Sequence, residues 1–265
     1  MKYLIINGSP RKGNTWVLTE KIVEKLQTLD KSAQFEEVHL KDIDLPFCLG
    51  CSSCFRKGHT TCPHNNVIQP IMDKIQECDA VIFSVTCYQM YVTALAKNFT
   101  DHLCYMLHRP RYFDKKALIV STTGGVGASG ATKFMAGTLR GWGFNRCYEL
   151  ALSSISWNAY HPKENHLKKL YKITEKFYKD VSSRKLHSPK SSVLIPFNLF
   201  RGMSKDYKTG TEFESQDGVY WEKTGFAKKV YAPNVPLPLH KKLFGYMFYF
   251  IAKKISSRMI VTYKK

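Results

Sequence analysis

Apolar residues run in two alternating rhythms through the first 180 positions. Leu4, Ile5 and Ile6 are continuous, the pattern of a strand buried on both faces. Directly after them Val17, Leu18, Ile22, Val23, Leu26 and Leu29 keep helical spacing, with Thr15 or Asn14 placed as its N-cap. Residues 35–40 predict a weaker strand, and a loop rich in Asp, Pro and Cys follows to about residue 64. Val67, Ile68, Ile71, Met72 and Ile75 make a second helix face. Residues 80–85 are the clearest buried strand of the chain. Leu95, Phe99, Leu103, Met106 and Leu107 then predict a helix, and residues 117–122 a strand. Phe134, Met135, Leu139 and Trp142 belong to a helix ending near Gly141 or Gly143. Residues 148–152 read as a fifth strand and 167–181 as a long basic helix.

Five such alternations predict an α/β fold built on a doubly wound parallel sheet, with right-handed crossovers. Ligands of such sheets bind beyond the carboxyl ends of the strands. The loops 8–14, 85–92 and 122–130 follow the first, third and fourth strands, so topology alone brings them to one edge. The domain this predicts covers 1–183. Residues 184–265 break the rhythm and form a basic, partly helical extension: 193–200 is apolar, 202–221 turn-like and polar, and 243–251 aromatic between Lys241-Lys242 and Lys253-Lys254. An apolar stretch of that length is too short to span a bilayer. Packing on the body or on a partner subunit is the favoured expectation for it, ahead of a membrane-surface contact.

Composition adds charge. The chain has 40 Lys and Arg against 21 Asp and Glu, a net +19. Residues 161–265 hold 22 of the bases and 8 of the acids. No nucleic-acid-binding motif accompanies this surplus, so a solvated surface that attracts anionic cofactors is preferred to a nucleic-acid contact. The chain opens straight into a strand pattern, without the apolar core of a secretory leader, and the expected location is cytoplasmic.

The chemistry concentrates in Asn7-Gly8-Ser9-Pro10-Arg11-Lys12-Gly13-Asn14-Thr15. A buried strand, a loop of small and hydroxyl residues, then a helix start is the outline of a phosphate cradle. The spacing is neither a Walker loop nor a Gly-x-Gly-x-x-Gly fingerprint. Its donors, Ser9, Arg11, Asn14, Thr15 and the amides around Gly13, suit a phosphate monoester. Gly125-Val126-Gly127-Ala128-Ser129-Gly130 does spell the dinucleotide pattern, but after the fourth strand, where it reads as a flexible loop.

Of eight cysteines, four crowd together as Cys48, Cys51, Cys54 and Cys62. Three cysteines at Cys-x2-Cys-x2-Cys spacing can wrap one face of a cubane, and a later one can close it. Three outcomes stay open: a 4Fe-4S cluster, zinc, or free thiols. Cys78, Cys104 and Cys147 fall on helix or strand patterns and are expected in the core. His102, His108 and Arg109 close the third helix, where capping carbonyls is the default expectation and facing the entrance of the binding site the alternative.

The 7–15 loop resembles the phosphate loop of the NAD(P)H-dependent FMN reductases of the flavodoxin-like superfamily. Tyr88, Val92-Thr93 and residues 97–101 resemble that family's ring-binding loop and following helix, and 121–129 its second ring loop. The cysteine spacing resembles that of the iron–sulfur flavoproteins of the same fold. The resemblance covers about residues 1–180. It implies a five-stranded sheet of order 2-1-3-4-5, FMN as cofactor, NAD(P)H as co-substrate and a homodimer or homotetramer. A flat ring needs a slot of backbone amides beside an aromatic wall. Thr86, Cys87, Tyr88, Gln89 and Met90, with Tyr91, are expected on one side and Thr123, Gly124 and Gly125 on the other. The family commonly has Ser-Pro where this chain has Thr86-Cys87; Cys87 then faces the ring or is simply buried. The implied function is an FMN-dependent oxidoreductase delivering electrons to a small-molecule or protein acceptor. The alternative is a non-enzymatic iron–sulfur electron carrier.

Overall fold

A computed structural model describes residues 1–157 and 159–256. Its described residues form a five-stranded sheet in the order β2-β1-β3-β4-β5. The strands are β1 (Lys2–Asn7), β2 (Gln34–His39), β3 (Ala80–Ser84), β4 (Lys116–Thr123) and β5 (Arg146–Ser153), and every pairing is parallel. This is the flavodoxin-like arrangement expected from the sequence.

Neighbouring residues of the inner strands serve different cores. Leu4, Ile6, Val81, Phe83, Ala117 and Ile119 face α3 (Asn65–Glu77), α4 (Ala94–His102) and α5 (Ala128–Gly141). Tyr3, Ile5, Ala80, Ile82, Leu118 and Val120 face α1 (Asn14–Leu29) and α6 (Glu164–Ser183). Both faces of each inner strand therefore leave water, which is why these strands read as unbroken apolar runs. Each fully buried Leu, Ile or Phe contributes about 1.5–3 kcal/mol. The β2 edge, with Glu36 and Glu37 in it, is the least buried.

Several local expectations change. The N-cap of α1 is Gly13, not Asn14 or Thr15, and it caps without a side chain. The helix expected through 107 breaks at Leu103 and continues as a 3-10 turn, Cys104–Leu107. Cys78 is buried as expected and Cys147 is half-buried, but Cys104 is exposed. Its pattern is helical, but in the 3-10 turn Leu103, Tyr105 and Met106 stay buried around it while Cys104 faces out.

The extension is more helical than its composition suggests. After the four-residue α2 (Ser53–Arg56) in the cysteine loop, the remaining helices are α7 (Ser191–Met203), α8 (Gln216–Lys223) and α9 (Leu239–Ile255). Pro196 sits inside α7, yet Leu194, Phe197, Asn198, Arg201 and Gly202 still bury one helical face. The 202–221 stretch holds the end of α7, a 3-10 turn and α8 rather than turns alone. Phe197, Trp221 and Tyr231 form a separate aromatic cluster. Phe113 joins it to the body, its ring edge-on to Phe197, Phe226 and Tyr231.

Candidate functional site

The carboxyl ends of β1, β3 and β4 are locked together by hydroxyls. Thr15 Oγ1 lies 2.6 Å from Thr122 Oγ1 and 3.0 Å from Thr86 Oγ1. Thr86 shares a second hydrogen bond with Ser9 Oγ at 2.9 Å, and its backbone N–H donates to the same Ser9 oxygen at 3.0 Å. Ser9 N–H donates to Asn7 Oδ1, and Thr93 Oγ1 donates to the Gly8 carbonyl. The 7–15 loop is thereby tied to both neighbouring strand ends before any ligand arrives.

Above this network lies a cavity of about 470 Å³. Arg11, Gly13, Asn14, Thr86, Cys87, Tyr88, Gln89, Thr123, Gly124 and Gly125, all expected at the site, line it. Ser9, Thr15 and Met90 do not. The hydroxyls of Ser9 and Thr15 are buried and already paired, so they brace the loop rather than face the opening. Met90 lies exposed against the 122–130 loop, where a Cβ on Gly127 would lie 3.1 Å from its sulfur. Tyr91 likewise leaves the cavity and packs on Phe134 at 4.6 Å between ring centroids.

Sequence reasoning missed the fourth wall. Ser154, Ile155, Ser156 and Trp157 follow β5 and line the cavity, and the Trp157 ring is 89% exposed. Asn14 Nδ2 fastens this wall to the phosphate-type loop, donating to Ser154 Oγ at 3.1 Å and to the Ser156 carbonyl at 2.8 Å. The signals available were position, after a fifth parallel strand, and the three serines 153, 154 and 156.

The cavity is suited to an anion at one end and a flat group at the other. No Asp or Glu is among the described residues that line it, and Arg11 stands at the start of α1. Lys12 turns away to Glu37, 3.1 Å, and over the Trp16 ring. The α1 amides and dipole favour negative charge at this end. At the other end a Cβ added to Gly124 or Gly125 would meet no atom within 4 Å. A ring could lie against that bare backbone. Opposite stands a two-residue hairpin: Tyr88 and Tyr91 exchange both backbone hydrogen bonds, with Gln89 at φ 47° and Met90 at φ 65°. Both central residues take the left-handed conformation of a type I′ turn, at about 1–2 kcal/mol each for a side-chain residue. Cys87, at the foot of this hairpin, is 8% exposed, and burial raises its thiol pKa. It is both buried and at the cavity wall.

A second, smaller cavity of about 180 Å³ is lined by Cys48, Cys51, Cys54 and Cys62, together with His64, His102 and Cys104. Among the described residues no three side chains form a metal-holding group. The neighbouring Cys104 thiol, together with burial, pushes the Cys54 thiol up, while Cys54 holds the Cys104 thiol down. Backbone and side-chain donors at Ser53 lower the Cys51 pKa, and burial raises that of Cys62. His102 shares hydrogen bonds with the Asn98 carbonyl and with His64 Nδ1, both at 2.9 Å. Arg109 Nη2 donates not to its own helix end but to the Cys54 carbonyl of α2, and His108 pairs with Asp217 of α8. Cys104 is the member of this group that its helical pattern concealed.

Fold and cavity define a flavodoxin-like α/β protein with an anion-seeking pocket at the carboxyl edge of its sheet. Residues 1–144 match the family described as NADPH-dependent FMN reductase, and the chain belongs to that family. It is 40% identical over 101 residues to an iron-sulfur flavoprotein of Archaeoglobus fulgidus, covering 38% of this chain and 48% of that protein. A second iron-sulfur flavoprotein of the same organism is 30% identical over 145 residues, 54% of this chain and 64% of the other. The chain thus spans about half to under two thirds of the curated relatives it matches. In fold it resembles the apo form of the NADH:FMN oxidoreductase EMOB, with TM-score 0.52 and 20% identity over 70% of this chain and 94% of that one. Among the described residues no helix is long and apolar enough to cross a membrane.

Proposed function

We propose that this chain is an FMN-dependent oxidoreductase that takes electrons from NAD(P)H and passes them to a small-molecule or protein acceptor. The observation that carries this is the cavity itself, with Arg11 and the start of α1 at one end and the unobstructed glycines 124 and 125 at the other. Arg11, Asn14 and the amides around Gly13 would receive the phosphate. Thr86, Cys87, Tyr88 and Gln89 would flank the ring on one side and Thr123, Gly124 and Gly125 on the other. Bound FMN would supply the hydride-accepting and electron-donating chemistry. The protein's part is to orient the ring, shield it with the Tyr88 hairpin and the Trp157 loop, and present amide donors at its polar edge. No side chain in the cavity is asked to act as acid or base. Titrating FMN into the purified apoprotein should quench flavin fluorescence at one equivalent, and the loaded protein should oxidise NADPH or NADH. A protein that takes up no FMN would sink the proposal.

A second redox centre is proposed at the cysteine cavity. Four thiols of one loop and Cys104 line it, and thiolates are the ligands of iron–sulfur clusters. The donor chemistry fits; their present spacing does not converge on one point, so the 48–54 loop would have to close around a cluster. Iron and acid-labile sulfide assays on anaerobically purified protein test this. Four of each per chain support a 4Fe-4S cluster, and their absence after anaerobic reconstitution rejects it. If iron is present but neither pyridine nucleotide is oxidised, the electron-carrier reading takes precedence.

A further inference from the structure

The outer face of α9 carries Leu239, Leu243, Tyr246, Met247 and Phe250, all of them exposed, with Tyr246 partly covered by Arg201. They are 72, 62, 41, 48 and 60% exposed. Their spacing places them on one stripe of a straight helix. Five large apolar side chains on one open face exceed the scattered surface apolars of an ordinary protein.

The opposite face holds the helix in place. Gly245 and Ala252 are buried there. A Cβ on Gly202 of α7 would lie 2.5 Å from the Tyr249 carbonyl, and one on Gly245 would lie 2.3 Å from Val230. The two helices thus cross at bare backbone. The Arg201 guanidinium lies 4.0 Å from the Tyr249 ring centroid and 5.2 Å from that of Tyr246. The stripe is therefore a fixed outward surface.

Charge identifies what covers it. Lys242, Lys253 and Lys254 are exposed near the two ends of the stripe, whereas Lys241 is occupied with Ser188 and the Pro189 carbonyl. Helix α9 contains no Asp or Glu, and none follows Glu222 in the sequence. Pairing this face with itself would bring lysines against lysines with no acid to answer them. A lipid surface with anionic headgroups answers both features. Lysines sit among the headgroups while Leu, Phe and Met enter the acyl boundary, with the Tyr ring between. At 17 residues α9 is about 25 Å long, and it is not apolar enough to span.

We propose that α9 seats this protein flat on an anionic membrane surface through its Leu243–Phe250 stripe and the bordering lysines. The experiment is co-sedimentation of the full chain with vesicles of phosphatidylcholine alone or mixed with phosphatidylglycerol. Binding to the mixed vesicles should exceed that to phosphatidylcholine by at least about tenfold at low salt, and fall as salt is added. The L243E/F250E variant should lose it, and K242E/K253E should lose the anionic preference. L243S/F250S serves as a milder version should the glutamates disturb folding, and a circular dichroism melt checks all three. FMN affinity should not change in any of them, so failure here is separable from failure of the redox proposal. Equal lack of binding to both vesicles overturns the proposal. So does a concentration-dependent dimer in light scattering that L243E/F250E abolishes, because the stripe would then meet a second copy.

Discussion

Thr15 and Thr122 meet hydroxyl to hydroxyl at 2.6 Å, joining the first turn of α1 to the end of β4. Both are almost fully buried, and Thr15 also holds Thr86. Thr15→Val keeps the shape and deletes the shared oxygen, leaving the buried Thr122 hydroxyl short of its partner and Thr86 held by Ser9 alone. Stability should fall by about 1–3 kcal/mol in a urea melt. FMN affinity should fall as well, because the loop loses its brace.

The glycines of the 122–130 loop should separate binding from folding. Gly125 has an ordinary φ and open space, so Gly125→Ala should leave the urea midpoint within about 0.5 kcal/mol of the parent. Its methyl would project into the cavity and weaken FMN at least about tenfold. Gly127 is at φ 102°, and an added Cβ would lie 2.9 Å from Met90 Cα. Gly127→Ala should therefore cost stability and displace the hairpin together. Fluorescence titration and denaturation on the two variants check the contrast.

Asp217 of α8 ties the extension to the cysteine loop. Its carboxylate lies 2.7 Å from His108 Nδ1 and 3.3 Å from Arg109 Nε. Arg109 is buried, and the same guanidinium holds the Cys54 carbonyl. Burial lowers the Arg109 pKa while Asp217 opposes that shift. Asp217→Ala leaves the cation without its counter-charge and should cost about 3–5 kcal/mol. Protease digestion of the variant should also cut the 48–62 loop faster.

Cys87 gives a pH signature. Its thiol pKa is raised by burial, so the reactive thiolate forms at higher pH than that of an ordinary thiol. Alkylation by iodoacetamide, followed by peptide mass spectrometry, should rise with pH later for Cys87 than for Cys51, whose pKa is lowered. FMN should protect Cys87 and leave Cys51 unaffected.

The inner strands were legible because burial on both faces leaves an unbroken apolar run, as in Leu4-Ile5-Ile6 and residues 80–85. The three glycine- and hydroxyl-rich loops were legible because parallel topology sends them to one edge. Hydroxyl direction was not. Ser9 and Thr15 have the right chemistry for a phosphate, but whether Oγ faces a ligand or a neighbouring strand depends on Thr86 and Thr122, more than 70 residues away. Cys104 was hidden by a helical period that breaks one residue before it. The Trp157 wall was hidden although Ser153, Ser154 and Ser156 make the end of β5 hydroxyl-rich, because the resemblance supplied ring-binding loops only after the third and fourth strands. Helix α7 was obscured by Pro196, whose cost is met by the burial of six other residues of the helix.

The hydroxyl network has a thermodynamic consequence. Ser9, Thr15, Thr86 and Thr122 satisfy one another, so a guest need not reorganise them. Binding then loses little chain entropy at the phosphate end. Its heat-capacity change should come almost wholly from apolar ring surface leaving water between Tyr88 and the bare glycines. A phosphate-bearing fragment without a ring should bind with a heat-capacity change near zero, and calorimetry of the fragment beside intact FMN would divide the pocket into a rigid socket and a solvent-squeezing slot.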